Sequence, residues 1–207
     1  MFDPALLLAF LAAATILTVT PGLDTALVLR SSAVGGWRTG VAAGGGILVG
    51  CLVWGAAVSL GLGALLQASA LAYTLVTWAG AAYLVWLGAR MLLHPRDMLA
   101  TGTAGTPVPT RTALRDGLLS NLLNPKIGVF YVTFLPQFIP PHANVALHSF
   151  LLALIHIALT VIWFALLIVG TVPLGRVLRR PSVVRRLDRI TGGIFIAFGI
   201  RLAVTSR

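Results

Sequence analysis

Glutamate is absent from this chain, and lysine and cysteine occur once each. Five aspartates are the only acidic side chains in 207 residues. Charged residues make up 10% of the whole, against roughly 25% in an ordinary soluble domain. Each shortage excludes something. One cysteine, Cys51, rules out an intrachain disulfide and a two-thiol redox relay, and it disfavours a thiolate metal pathway. Without glutamate there is no His-Glu-x-x-His zinc motif. The single lysine, Lys126, follows Pro125, so no Gly-Lys-Ser/Thr phosphate loop exists. An intramembrane aspartyl protease needs paired aspartates, and only Asp24 lies deep in an apolar stretch. No catalytic residue, metal site or cofactor is expected, and the chain does not read as an enzyme.

What is there is apolar. Hydrophobic residues reach 58%, and twenty charged side chains cannot coat a water-facing surface of this size. A bilayer core takes about 20 apolar residues per helix. The uncharged stretches give six spans: about Ala5 to Leu29, Thr39 to Leu62, Ala70 to Leu93, Ala113 to Phe138, Ala146 to Val172, and Leu187 to Val204. Gly61, Gly63, Gln67 and Ser69 mark the turn between the second and third, and Ile139 to His142 separates the fourth from the fifth. The sixth is the shortest run, and Arg189 and Arg201 must snorkel to its two interfaces. The first stretch lacks a basic leader and is read as a retained helix.

A net charge of +10 raises nucleic-acid binding, but the arginines alternate with the spans. Arg30 and Arg38 flank the first connection. Arg90, Arg96, Arg111 and Arg115 belong to the third, and Arg176, Arg179, Arg180, Arg185, Arg186 and Arg189 to the fifth. The second and fourth connections carry none. The positive-inside rule makes the basic side cytoplasmic and puts both termini outside. Membrane lipid, not nucleic acid, is the expected macroscopic partner.

Two spans are interrupted by proline: Thr20-Pro21-Gly22-Leu23-Asp24 and Asn124-Pro125-Lys126. The prolines lie half a chain apart, each in the first span of a three-helix set. Three is odd, so the second set enters the membrane inverted. Such repeats place their binding site at paired broken helices. The expected architecture is therefore all-α and polytopic. It is one membrane domain over residues 1–207, with halves 1–104 and 105–207 and a linker at about 95–110. Thr20 and Asn124 are N-cap types, with proline at the first helical position of a new half-helix whose positive end suits an anion such as a carboxylate. Asp24 and Lys126 are the deep charges. An ion at the bilayer centre costs about 2.5–3.5 kcal/mol on insertion scales and so marks function or a partner. Whether the two pair is left open.

These residues resemble the LysE/RhtB amino-acid exporters. Thr20 to Asp24, continuing through Leu27-Val28-Leu29-Arg30, is similar to the family's N-terminal signature, although Leu23 stands where proline is usual. Asn124-Pro125-Lys126, running on to Phe134-Leu135-Pro136-Gln137-Phe138, resembles its second signature. Gly80 to Gly88 and Gly192 to Leu202 resemble the ends of its third and last helices. The resemblance implies a bacterial inner-membrane exporter of amino acids or their derivatives, driven by the proton motive force. By position it assigns Pro21, Gly22, Asp24, Asn124, Pro125 and Lys126 to the central site.

The expected mechanism is proton antiport. Lys126 and the half-helix N-termini would hold a substrate carboxylate, while Asp24 carries the proton or meets the substrate ammonium. Thr20, Asn121, Gln137 and His156 are candidates for lining the path, though a lone membrane histidine is more often a packing residue. Gly40, Gly44, Gly46 and Gly50 predict close helix approach, and Trp37 and Trp86 predict interface anchors. An exporter of another solute, a channel, and a non-transporting membrane partner protein remain as alternatives. Association into a homo-oligomer stays open.

Overall fold

A computed structural model describes residues 3–96, 108–140, 143–178 and 180–205. Much of the linker, together with Pro141, His142, Arg179 and Arg207, lies outside them. Most of the described residues are helical, and there is no strand among them. In chain order they form α1 (Pro4–Val19), α2 (Leu23–Gly35), α3 (Trp37–Ala68), α4 (Ala70–Leu93), α5 (Thr110–Leu122), α6 (Pro125–Val129), α7 (Val145–Val169), α8 (Thr171–Leu178) and α9 (Pro181–Thr205). Between α6 and α7 the backbone is first a π turn (Phe130–Phe134) and then a 3₁₀ turn (Leu135–Phe138).

Local chemistry explains most boundaries. Asp3 caps α1 by accepting from the Ala5 and Leu6 amides at 2.8 and 3.0 Å, with Pro4 at the first helical position. Asn144 caps α7 through the Leu147 amide at 2.9 Å. Gly36, at φ 80°, turns the chain out of α2 in a conformation that a Cβ would resist. The turn expected from Gly61 onward is displaced. α3 continues to Ala68 and breaks only at Ser69, because glycine without a left-handed turn weakens a helix but does not end it. The fifth expected span stops at Val169, and Thr171–Leu178 forms its own short helix.

Both proline breaks are present. α1 and α2 meet at 50°, and α5 meets the segment Pro125–Phe138 at 51°. By length and composition, three stretches suit a membrane crossing: Trp37–Gly61, Thr74–Leu93 and Val145–Val169. The number rises to five if each bent pair is one span. α9 falls outside this set. It starts six residues earlier than expected, and its first half carries Arg185, Arg186, Asp188 and Arg189. Leu60, Leu71, Leu75, Ile162, Leu166 and Val169 point outward. An apolar surface of this extent belongs against lipid.

Two helix pairs approach to backbone contact. On α3 and α5, a Cβ at Gly46 would strike the Leu114 carbonyl, and one at Gly117 would strike that of Ala43. Gly88 of α4 and Gly192 of α9 face one another in the same way. Without water to drive apolar burial, membrane helices associate through such close packing. α3 also packs along α7, and α4 packs chiefly on α9. A cluster of Phe10, Phe130, Phe134, Phe138 and Phe198 fills the interior beside the π and 3₁₀ turns, with ring centroids 4.5–6.2 Å apart.

Candidate functional site at the two helix breaks

The second break forms as its sequence predicts. Asn124 is the N-cap of α6, its side-chain oxygen accepts from the Lys126 amide at 3.1 Å, and Pro125 takes the first helical position. The first break does not. Thr20 ends α1 instead of starting α2. Its hydroxyl donates back to the Ile16 carbonyl at 2.7 Å and lies 2.5 Å from the Thr191 hydroxyl on α9. Threonine has this alternative because its oxygen reaches the carbonyl one turn behind. Gly22, extended at φ −136°, becomes the N-cap of α2, and no side chain caps that helix. Pro21 therefore lies between the helices and not within one.

A helix end leaves carbonyls without partners. At the end of α1, cations supply them. Lys126 Nζ donates to the Leu17 and Thr20 carbonyls, each at 3.0 Å. Arg96 Nη2 donates to the Pro21 carbonyl at 2.7 Å. A cation at a helix C-terminus also meets the negative end of the dipole. The second half of the chain and the linker thus complete the first break.

The exchange is reciprocal. Asp24 lies in the first turn of α2, where the dipole favours a carboxylate. Its oxygens accept from Asn121 Nδ2 at 2.9 Å, and from Asn124 Nδ2 and Ser120 Oγ at 3.4 Å each. All three donors belong to α5 or to the second break. Asp24 and Lys126 do not form an ion pair; each is engaged by the opposite break instead. Only the Asn121 bond is short, so two of the three donors hold Asp24 loosely.

Two cavities flank this junction. The inner one measures about 40 Å³ and is lined by Leu17, Thr18, Asp24, Thr25, Ile47, Cys51, His156, Thr160 and Phe164, among others. At ~10–15 Å³ per water it has room for about three waters and not for an amino acid. The outer one measures about 420 Å³ and is lined by Leu23, Arg90, Met91, His94, Arg96, Pro125 and Asp188, among others. Gly22, Asn124 and Lys126 line both and form the partition.

The path candidates separate. Thr20 and His156 line the inner cavity. His156 is buried, with Nδ1 3.0 Å from the Tyr131 hydroxyl and its carbonyl accepting from Thr160. Asn121 is fully buried against Asp24 and 3.4 Å from Cys51 Sγ, and its own Oδ1 has no partner. Gln137 is not brought to the site. From the 3₁₀ turn it donates to the Thr133 carbonyl in the preceding π turn, and its Oε1 is also unpartnered. Trp37 and Trp86 are exposed, each with a neighbouring arginine, Arg38 or Arg90, about 5.4–5.6 Å from the ring centroid. Among the described residues no group of three or more His, Cys, Asp or Glu is placed to hold a metal.

Arg96, Asp188 and Thr191 were not anticipated. Asp188 is 1% exposed, and it binds Arg96 through Nη2 at 2.5 Å, Nε at 2.9 Å and the backbone amide at 3.0 Å. One sequence signal pointed there. Asp188 is the only acid within the arginine-rich start of the last helix, and an isolated carboxylate in such a place needs a partner.

An outward apolar surface, bent helix pairs and a polar junction between the helices define a multi-pass membrane protein. The chain belongs to the LysE type translocator family, whose pattern it matches over residues 15–206. Membership points to a transporter rather than an enzyme. It is 33% identical to an uncharacterized membrane protein of Vibrio cholerae, over 95% of both chains. It is 30% identical to the leucine efflux protein of Enterobacter sp. strain 638, over 94% of this chain and 93% of the relative. It is 28% identical to the homoserine/homoserine lactone efflux protein of Salmonella typhimurium, over 94% of each. No solved structure matches it.

Proposed function

We propose that this protein is a secondary transporter of the bacterial inner membrane that exports amino acids or their derivatives by proton antiport. The observation that carries the reading is the crosswise engagement of Asp24 and Lys126 at two matching breaks. Buried charges at broken helices are where carriers bind substrate and ion. Relatives named for leucine and homoserine efflux support the cargo class.

The architecture behind this reading is six spans in two inverted halves, residues 1–104 and 105–207, with α9 as the sixth. Bends of 50° and 51° at corresponding positions support it. So does the packing of α3 on α7 and of α4 on α9, because corresponding helices of inverted halves meet about the pseudo-axis. The arginine-rich connections then face the cytoplasm, and both termini lie outside. Arginines that snorkel from its ends fit α9 to the bilayer.

The transport cycle follows from Asp24. When the site faces the cytoplasm, its carboxylate is ionised and takes the ammonium of the cargo, which displaces the two loose donors Ser120 and Asn124. When the site faces outward, a proton from the more acidic side neutralises Asp24 and releases the cargo. The return carries that proton inward. Pro21, Gly22, Asn124, Pro125 and Lys126 shape the junction, and Thr20, Asn121 and His156 line the way. Thr18, Thr25 and Thr160 offer hydroxyls, while Leu17, Ile47 and Phe164 offer an apolar wall.

The test is export from cells that lack their own amino-acid exporters. They are loaded with a dipeptide panel, and free amino acids are followed in the medium. Selective efflux, abolished by collapsing the proton gradient, is the expected result. Efflux indifferent to that gradient points to a channel or another coupling ion, and no efflux of any amino acid overturns the cargo.

A further inference from the structure

The inner cavity is too small for cargo, and the cavity that adjoins it across Gly22, Asn124 and Lys126 is the outer one, of about 420 Å³. That cavity is lined by Arg90, His94, Arg96 and Lys126 with one acid, Asp188. Asp188 is buried and already bound, whereas the Arg96 side chain is 44% exposed. The guanidinium of Arg96 does two things at once. It makes a two-pronged bond to the Asp188 carboxylate, and through the same Nη2 it holds the Pro21 carbonyl. One turn further along α9, Thr191 bonds Thr20. α9 thus fastens Thr20 and Pro21, where α1 ends at the first break, which is the break with no side-chain cap of its own.

We infer that Arg96 is the first receptor for the cargo's α-carboxylate, and that the cargo unlocks the first break by displacing Asp188 and Pro21 from it. An α-carboxylate has the same charge and planar fork as the side chain it replaces, so guanidinium geometry suits both. Cargo that binds the released form better than the latched form shifts the population toward it. α4 and α9, joined at Gly88 and Gly192, carry Asp188 and Thr191 as one unit and draw away from α1 and α2. The inner cavity then opens to the outer one past Gly22. This inference rests on the amino-acid export reading and adds to it a receptor, a recognised group and a release step.

Cys51 makes the step measurable. It is the only cysteine, it is 1% exposed, and it lines the inner cavity. The experiment follows the rate at which a small cationic methanethiosulfonate labels Cys51 in the purified full-length protein in liposomes. Leucine and homoserine are added in turn, each beside its carboxylate-free amide. The wild type should label slowly alone and at least about tenfold faster with whichever amino acid it exports, since the bonds replaced are charge-assisted. The amide should not accelerate it. Arg96→Gln and Asp188→Asn should label fast without ligand, and in Arg96→Gln the amino acid should add nothing. Wild-type acceleration by the amide equal to that by the amino acid would sink the carboxylate step. Slow labelling in both folded variants, checked by monodisperse elution, would sink the latch. A wild type that exports no amino acid refutes the export reading and the cargo-driven step with it, while fast labelling in the variants would still mark the latch. Should one variant fail to fold, the wild-type comparison of acid and amide still decides.

Discussion

The two breaks share a proline motif and a bend of about 50°, yet they are built in opposite ways. The second is self-sufficient: Asn124 caps α6 and Pro125 starts it, all within a few residues. The first is completed from elsewhere. Lys126 takes two of its carbonyls, Arg96 a third, and Thr191 its threonine, while its new helix begins at an uncapped glycine. A break whose partners are remote can be remade when those partners move, and one that is capped locally cannot. Under the proposed latch, motion falls to the first break and anchorage to the second.

The largest expected effect comes from Lys126→Ala. It leaves the Leu17 and Thr20 carbonyls without donors, at about 1–3 kcal/mol for each buried orphan. Export should fall to background. Amide hydrogen exchange should rise at residues 17–22 and hardly change at 127–130. Exchange rising equally at both breaks would show that the second depends on Lys126 as much as the first, and the asymmetry would be lost.

Asp24→Asn comes next. The substitution keeps the shape and an acceptor for Asn121, but it removes the charge and the proton site. Efflux driven by an imposed pH gradient should vanish from proteoliposomes, whatever exchange of cargo persists without it. Pumping that survives against a concentration gradient would move the proton to another group lining the inner cavity, such as His156.

Asn124→Ala removes the local cap of the second break and one donor to Asp24. Cap loss costs about 1 kcal/mol. The thermal midpoint in detergent should drop by a few degrees, and the cost should be the same with or without Arg96→Gln. A larger drop in the double variant than the two singles add up to would couple the breaks energetically.

The sequence shows this comparison only in part, and the reason is range. The apolar runs and the two prolines are local signals, and α4 runs from Ala70 to Leu93 as its composition indicates. The cap at Asn124 is likewise a matter of two residues. What fills the first break is not local. Lys126 lies 106 positions from Thr20, and Arg96 lies 92 from Asp188, beyond any spacing rule. Arg96 also sits in a stretch that reads as linker, and its role exists only because α9 returns beside α4. The extent of α9 is obscured by the same chemistry, since Arg185, Arg186, Asp188 and Arg189 erase the apolar signature of a helix that packing holds together. Thr20 is a different failure. Its type is right for a cap, but a hydroxyl that can bond backward or forward is settled by its neighbours, here Thr191.

Gly22→Ala should have the smallest effect on the fold and so isolates the path from the scaffold. Glycine is not required there by its backbone, which is extended. A Cβ would meet only Lys126 Nζ at 3.8 Å and Cδ at 4.0 Å, which is ordinary contact. Alanine is a poorer N-cap than glycine, so stability should fall by roughly 0.5 kcal/mol. Yet Gly22 lines both cavities, so the methyl group narrows the partition that cargo must cross. Export of a branched amino acid should slow more than that of a small one such as alanine, at matched expression and a thermal midpoint lowered by no more than a few degrees. If the two slow alike, the cargo does not pass Gly22, and the route between the cavities lies on the Asn124 side of the partition instead.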